Sequence, residues 1–179
     1  FVTTSKGQYV LTIFEQLTLD DLPYFLELMA FFSEANIPTA HPIADSQNEY
    51  IRILNGKPAA LVKRLNGVSI DIANVKQCQE IGIQMAKMHL SSKQFKFSRE
   101  ASRNEDWRIQ TSKLVMPKLN KDEQELLNQE LNYIKTTKVG HLHTSVIHAD
   151  LFRDNALFID DEVTGIIDFY YAYNGFSIY

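Results

Sequence analysis

The stretch Val146-Ile147-His148-Ala149-Asp150-Leu151-Phe152-Arg153-Asp154-Asn155-Ala156-Leu157-Phe158-Ile159 decides how this chain is read. Two short β-prone runs, Ser145 to Ile147 and Ala156 to Ile159, enclose a loop rich in ionisable side chains. Asp160-Asp161-Glu162 then reads as a turn and Gly165-Ile166-Ile167-Asp168-Phe169 as a final strand, with Asp168 13 residues beyond Asn155. Ionisable groups where buried apolar strands end are costly unless they meet a ligand, a metal or one another. A hairpin between Ala156 and Asp168 would return Asp168 to the side of Asn155.

Those residue types suit phosphoryl transfer, which needs a carboxylate to orient and deprotonate the attacking hydroxyl and oxygen ligands to hold Mg²⁺ on the nucleotide phosphates. Asp150 fits the first task. Asn155 and Asp168 fit the second, one neutral and one anionic hard-oxygen ligand. His148 would anchor the loop by hydrogen bonding to backbone. Singly, Asp150 and Asn155 would read as turn or cap residues; agreement of His148, Asp150, Asn155 and Asp168 across several required roles favours a catalytic site.

The pattern His148-x-Asp150-x-x-x-x-Asn155, followed by an apolar strand ending in Asp168-Phe169, resembles the catalytic and metal-binding loops of the aminoglycoside phosphotransferase and choline kinase-like superfamily. The fuller strings His148 to Asn155 and Ile167-Asp168-Phe169-Tyr170-Tyr171-Ala172 are similar to the bacterial homoserine kinase branch of that superfamily, as are Tyr9 to Glu15 and Asn55 to Val62. The resemblance spans nearly the whole chain. It implies a two-lobed protein-kinase-like α+β fold, ATP and Mg²⁺ as cofactors, and L-homoserine as the small-molecule acceptor, on the way to threonine. Choline, an aminoglycoside or a sugar derivative are alternative acceptors, and a non-catalytic nucleotide-binding module is the reading from another class. Adenine would stack and hydrogen-bond along Ala60 to Leu65, at Ala60, Val62 and Leu65.

Working outward, Phe1 to Thr4 and Tyr9 to Phe14 read as a hairpin across Ser5-Lys6-Gly7-Gln8. A helix comes next, with Asp20 or Asp21 as cap, Pro23 in the first turn, an apolar series Leu22, Phe25, Leu28, Met29 and Phe32, and a stop at Asn36. Pro38 and Pro42 bracket an extended segment. Tyr50 to Leu54 and Ala59 to Val62 form a second hairpin about Asn55-Gly56, the pair favoured in tight turns. Residues 1–66 are therefore expected as a nucleotide-binding lobe of small antiparallel sheet plus one helix, and residues 67–179 as a mainly helical catalytic lobe. In the latter, Val75, Cys78, Ile81, Met85 and Met88 make one helical stripe, Trp107 to Leu114 a weak helix ending at Pro117, and Asn120 with Glu123 a capping box ahead of Leu126, Leu127, Leu131 and Ile134.

Two features depart from the kinase-like pattern. The strand position that usually carries a Lys or Arg for the phosphates holds Thr12, which leaves Lys63, Arg64 and Arg153 as candidates; Arg153 reads equally as a surface cation. The phosphate-covering loop expected before Phe1 and the helices expected after Tyr179 are absent, and there is no initiating Met, so the chain reads as a piece truncated at both ends. Other polar residues have plainer readings. His89 is a structural histidine, and His41, His141 and His143 lack metal-ligand spacing. Cys78 is a small core hydrophobe, Glu27 a solvated carboxylate, and Asp154 a capping neighbour. Tyr170, Tyr171 and Tyr173 either line the acceptor pocket or pack the loop.

Bulk properties set the limits. The 179 residues are 45% hydrophobic and 22% charged, with a formal charge of −4. No basic stripe suggests a nucleic acid or an anionic membrane as partner, and no apolar run reaches the ~20 residues of a membrane span. One cysteine and no signal peptide make the cytoplasm the expected compartment. Oligomeric state is not legible.

Overall fold

The computed structural model describes residues 1–137, 140 and 142–178. Four strands, β1 (Val2–Thr4), β2 (Gly7–Ile13), β3 (Ile51–Leu54) and β4 (Lys57–Lys63), form one antiparallel sheet in the order β1-β2-β4-β3. Both hairpins turn where their sequences ask for it. Thr4 pairs with Gly7 and Leu54 with Lys57. Asn55 and Gly56 both take positive φ, 49° and 78°, as the favoured two-residue turn requires.

Helix α1 (Leu22–Glu34) lies against this sheet and is buried on nearly every side: Leu22, Tyr24, Phe25, Leu26, Leu28, Met29, Ala30 and Phe32 are all core residues. Pro23 occupies the first turn, where no N–H is needed. Asp21 precedes the helix but does not cap it. Its carboxylate turns back to the Thr18 hydroxyl (2.7 Å) and outward to Arg99 (2.8 Å), which satisfies it better than one backbone N–H. The helix ends at Asn36 in the left-handed conformation (φ 59°).

The segment after α1 stitches the sheet to the second half of the chain. Pro42 bridges to Val62 of β4, and Thr39 bridges in parallel to Ile166. Leu65-Asn66-Gly67 then leads out of the sheet, and Val68 exchanges two backbone hydrogen bonds with Phe158 (3.0 and 2.9 Å). One apolar cluster runs through both halves, from Phe14, Phe25 and Phe32 to Phe158, Ile166 and Phe169.

Three helices come next: α2 (Val75–Ser91), α3 (Glu105–Val115) and α4 (Lys121–Thr136). Capping boxes at Asn74/Gln77 and Asn120/Glu123 start α2 and α4. The apolar stripe expected on α2 is only half right. Met88 is buried and Ile81 and Met85 pack against the core, but Val75 is 87% exposed and Cys78 is exposed. The inner face instead runs through Gln77 and Gln84, and Gln77 donates to the Asp160 carbonyl (2.8 Å). Neither α3 nor α4 contains a buried residue, and Leu126, read as part of a stripe, points to solvent.

Strands β5 (Thr144–Ile147), β6 (Ala156–Ile159), β7 (Glu162–Ile166) and β8 (Tyr173–Phe176) complete the fold as two antiparallel pairs, β5 with β8 and β6 with β7. The last expected strand is shifted: β7 begins at Glu162 and stops at Ile166, because Asp168 is left-handed (φ 65°, ψ 57°) and a 3-10 turn follows at Phe169–Tyr171. No helix among the described residues is long and apolar enough to cross a membrane. His141 and the terminal Tyr179 lie outside the described residues.

Candidate active site

The loop from β5 to β6 and the turn after β7 meet at the centre of the chain. Ala156 pairs with Ile166, and the Ile167 N–H donates to the Asn155 carbonyl (3.0 Å). Asn155 and Asp168 thus stand at the same end of one hairpin. The Asn155 amide donates to the Asp150 carbonyl (2.7 Å) and lies 3.4 Å from its Oδ2. That leaves the Asn155 Oδ1 without a protein donor among the described residues.

His148 is buried beneath the loop and bonds at both ring nitrogens, to the Ile167 carbonyl through Nε2 (2.9 Å) and to the Asp150 N–H through Nδ1 (3.3 Å). Accepting at Nδ1 makes Nε2 the protonated nitrogen of a neutral ring. Burial holds its pKa below 6.5, against the opposing pull of Ile167, Asp168 and Asp150. Phe169 packs on the same ring, centroids 4.5 Å apart. Ala149 (φ 62°) and Asp168 (φ 65°) are both left-handed, a strain of order 1–3 kcal/mol each that tight surroundings must hold in place.

Asp168 is raised above the ordinary carboxylate range, first by burial and then by the Asp150 charge, with the Tyr170 backbone and His148 opposing. The Asp168 carboxylate and the free Asn155 Oδ1, with the Asp150 charge acting on Asp168 and no ion pair to either aspartate among the described residues, suit a hard divalent ion. No group of three or more His, Cys, Asp or Glu able to cage a metal occurs among the described residues.

Asp168 opens into a cleft of about 860 Å³ between the sheet and the hairpin, within the range of small-molecule sites. Val62 and Leu65 line it; Ala60, on the same face of β4 as Val62 and opposite Thr12, is buried in the core and does not reach the cleft surface. Thr12 also lines it, beside Tyr170. Asp150 faces a second hollow of about 390 Å³, beside Met85, Met88 and His89.

The candidate cations divide. Lys63 and Arg64 line the large cleft, although Arg64 is engaged by the Gln8 amide oxygen (2.8 Å). Arg153 is exposed, donates to the Asp71 carbonyl (2.8 Å) and lines neither hollow. Sequence reasoning missed Arg99 and Arg103, which both line the large cleft from the segment between α2 and α3. Two arginines four residues apart next to the chain's one tryptophan were the available signal; only the folded chain carries them across to α1 and Tyr171. Glu27 forms no ion pair among the described residues.

The chain is similar to several known kinases. Homoserine kinase of Methylobacillus flagellatus is 42% identical over 179 residues, which is 100% of this chain and 56% of that protein. Homoserine kinase of Neisseria meningitidis serogroup B is 39% identical, over 100% of this chain and 59% of that protein. The chain therefore spans little more than half the length of these curated relatives. In three dimensions it superposes on the amicoumacin kinase hAmiN, solved with AMP-PNP, Ca²⁺ and Ami, with a TM-score of 0.78 at 16% identity, covering 98% of this chain and 56% of that one. The choline kinase of Cryptosporidium parvum gives 0.64 at 16% identity, covering 94% and 52%. These likenesses show a protein-kinase-like fold. The profile of the phosphotransferase enzyme family matches residues 1–179 from end to end, and the chain belongs to that family.

Proposed function

We propose that the protein carrying this chain transfers the γ-phosphate of ATP to the side-chain hydroxyl of L-homoserine, as a cytoplasmic small-molecule kinase. In this reading residues 1–66 form the nucleotide-binding lobe and residues 67–179 the catalytic lobe. The observation that carries it is the join of Asp150, Asn155 and Asp168 through one hairpin and one loop. The acceptor is supported by relatives 39% to 42% identical along the whole chain, each a homoserine kinase.

Asp150 orients the acceptor hydroxyl and takes its proton as the oxygen attacks the γ-phosphorus and the bond to ADP breaks. Asn155 Oδ1 and the Asp168 carboxylate are the groups that would hold Mg²⁺. Bound there, the ion would neutralise charge on the phosphate oxygens. His148 fixes the loop by tying Asp150 to Ile167. Val62 and Leu65 supply apolar surface for adenine, and Lys63 and Arg64 are nearer the nucleotide than Arg153.

The test is ADP release from Mg-ATP by the full-length protein, with L-homoserine, choline and kanamycin compared. Release with L-homoserine alone is expected. Asp150→Asn should lower turnover about 10²- to 10⁴-fold and leave nucleotide affinity unchanged. Release with another acceptor alone would refute the homoserine assignment, and equal loss of nucleotide binding in the variant would refute the role of Asp150.

A further inference from the structure

Arg103 is a cleft cation whose charge the fold leaves uncommitted. Arg99 beside it is paired with Asp21 (2.8 Å) and rests on Phe25, and Arg64 is bonded to Gln8 and lies over Phe1. Arg103 has no carboxylate within 4 Å among the described residues. Its guanidinium carbon instead lies 5.5 Å from the Trp107 ring centre and 5.2 Å from that of Tyr171. All three side chains line the cleft into which Asp168 opens.

This arrangement has chemical content. A guanidinium held between aromatic rings keeps its charge, loses mobility, and presents its N–H edges to a planar oxyanion. Tyr171 belongs to the 3-10 turn that directly follows Asp168. Arg103 is thus held by the segment leaving the phosphate-facing aspartate, not by the Val62–Leu65 segment. An amino-acid acceptor entering that cleft meets the negative charge of Asp168, which repels its carboxylate. A fixed cation in the same cleft offsets the repulsion, and it also disfavours cationic acceptors such as choline or an aminoglycoside.

We propose that Arg103, clamped by Trp107 and Tyr171, binds the α-carboxylate of the amino-acid acceptor and so sets acceptor specificity. The inference rests on the proposed acceptor class. In the full-length protein, Arg103→Ala is expected to raise the KM for L-homoserine about 10- to 100-fold, the loss of hydrogen bonds to a charged group. The KM for ATP should not move. Arg103→Lys should recover part of the loss, keeping charge without the planar fork. With 3-aminopropan-1-ol, which lacks the carboxylate, wild type and Arg103→Ala should behave alike. Arg103 is exposed, so folding is not at stake. A raised KM for ATP with that for L-homoserine unchanged would move Arg103 to the nucleotide phosphates and overturn the inference, as would no change in either. Wild type turning over L-homoserine with an unaffected Arg103→Ala sinks the inference alone. Wild type turning over no carboxylate-bearing acceptor sinks the proposed function as well.

Discussion

Replacing His148 with Phe separates the hydrogen bonds of this residue from its packing. The new ring keeps the stacking on Phe169 and fills most of the same volume, but it removes both nitrogens. The Ile167 carbonyl then loses its donor at a part-buried site, at about 1–3 kcal/mol. The Asp150 N–H loses a longer 3.3 Å bond in a half-buried place, nearer ~1 kcal/mol. The sum is about 2–4 kcal/mol, a large part of a stability that is typically 5–15 kcal/mol. The same variant carries a pH signature. The folded pKa of His148 lies below 6.5, so between the two values the unfolded chain binds a proton that the folded chain does not. Wild-type stability therefore rises with pH through that window, by up to ~1.4 kcal/mol per unit, and levels off above 6.5. Asp150 and Asp168, the charges facing the ring, oppose burial and narrow the window. His89 is shifted the same way, so the difference between wild type and variant isolates His148. Urea unfolding of both proteins between pH 5 and 8 measures it. A variant within about 0.5 kcal/mol of wild type at pH 7.5, or one with the wild-type pH slope, would refute the reasoning.

Three further outcomes are expected. Gly67→Ala should cost about 2–4 kcal/mol in urea unfolding, because φ is +115° there and the added carbon would overlap the Thr164 hydroxyl and stand 3.0 Å from the Phe158 carbonyl; adding Thr164→Ala should return part of the loss. Asp21→Asn should weaken the hold of Arg99 on α1 and flatten the acid limb of the stability curve, since the carboxyl of Asp21, depressed by Thr18 and Arg99, contributes stability above its unfolded pKa of 3.8 that is lost as pH falls through the lower folded value. Tyr24 and Tyr170, both pushed up to about 12 by burial, should ionise well above the ordinary phenol value in an ultraviolet titration, and stability should fall as pH rises from 10 to 12, because the folded chain then holds protons the unfolded chain has released.

Local signals carried much of this fold. Asn55-Gly56, Pro23 and Asn120/Glu123 each fix a backbone event within a few residues, and each event is present. The pairing of Asn155 with Asp168 was legible because a hairpin of that length has one simple closure. What failed depends on distant partners. Val75 and Cys78 fit a helical stripe, yet nothing among the described residues covers them, while Gln77 and Gln84 take the inner face. Strand β8 was invisible because Tyr173–Phe176 has no strand character without β5 beside it. Arg153 looked placed for phosphate by sequence proximity, but the 3-10 turn at Arg153–Asn155 points Asn155 inward and turns the arginine toward Asp71.

The position of Thr12 shows how the site joins to the sheet without an ion pair there. In protein kinases a strand lysine paired with a helix glutamate links sheet, helix and phosphates. Here Thr12 stands beside the phenol of Tyr170, whose ring packs edge-on against Phe14 of the sheet side (5.1 Å) and Phe25 of α1 (5.8 Å). Its neighbour Phe169 packs on Phe32 of α1 (5.7 Å) and on His148 (4.5 Å). Two aromatic residues directly after Asp168 thus reach the strand, the helix and the catalytic loop together. Burial and the Asp168 charge keep the Tyr170 phenol protonated at neutral pH, so the link is uncharged. An uncharged, buried link is indifferent to salt, whereas an exposed ion pair is screened. It also adds no cation at the strand, and the cations Lys63, Arg64, Arg99 and Arg103 line the cleft from other segments.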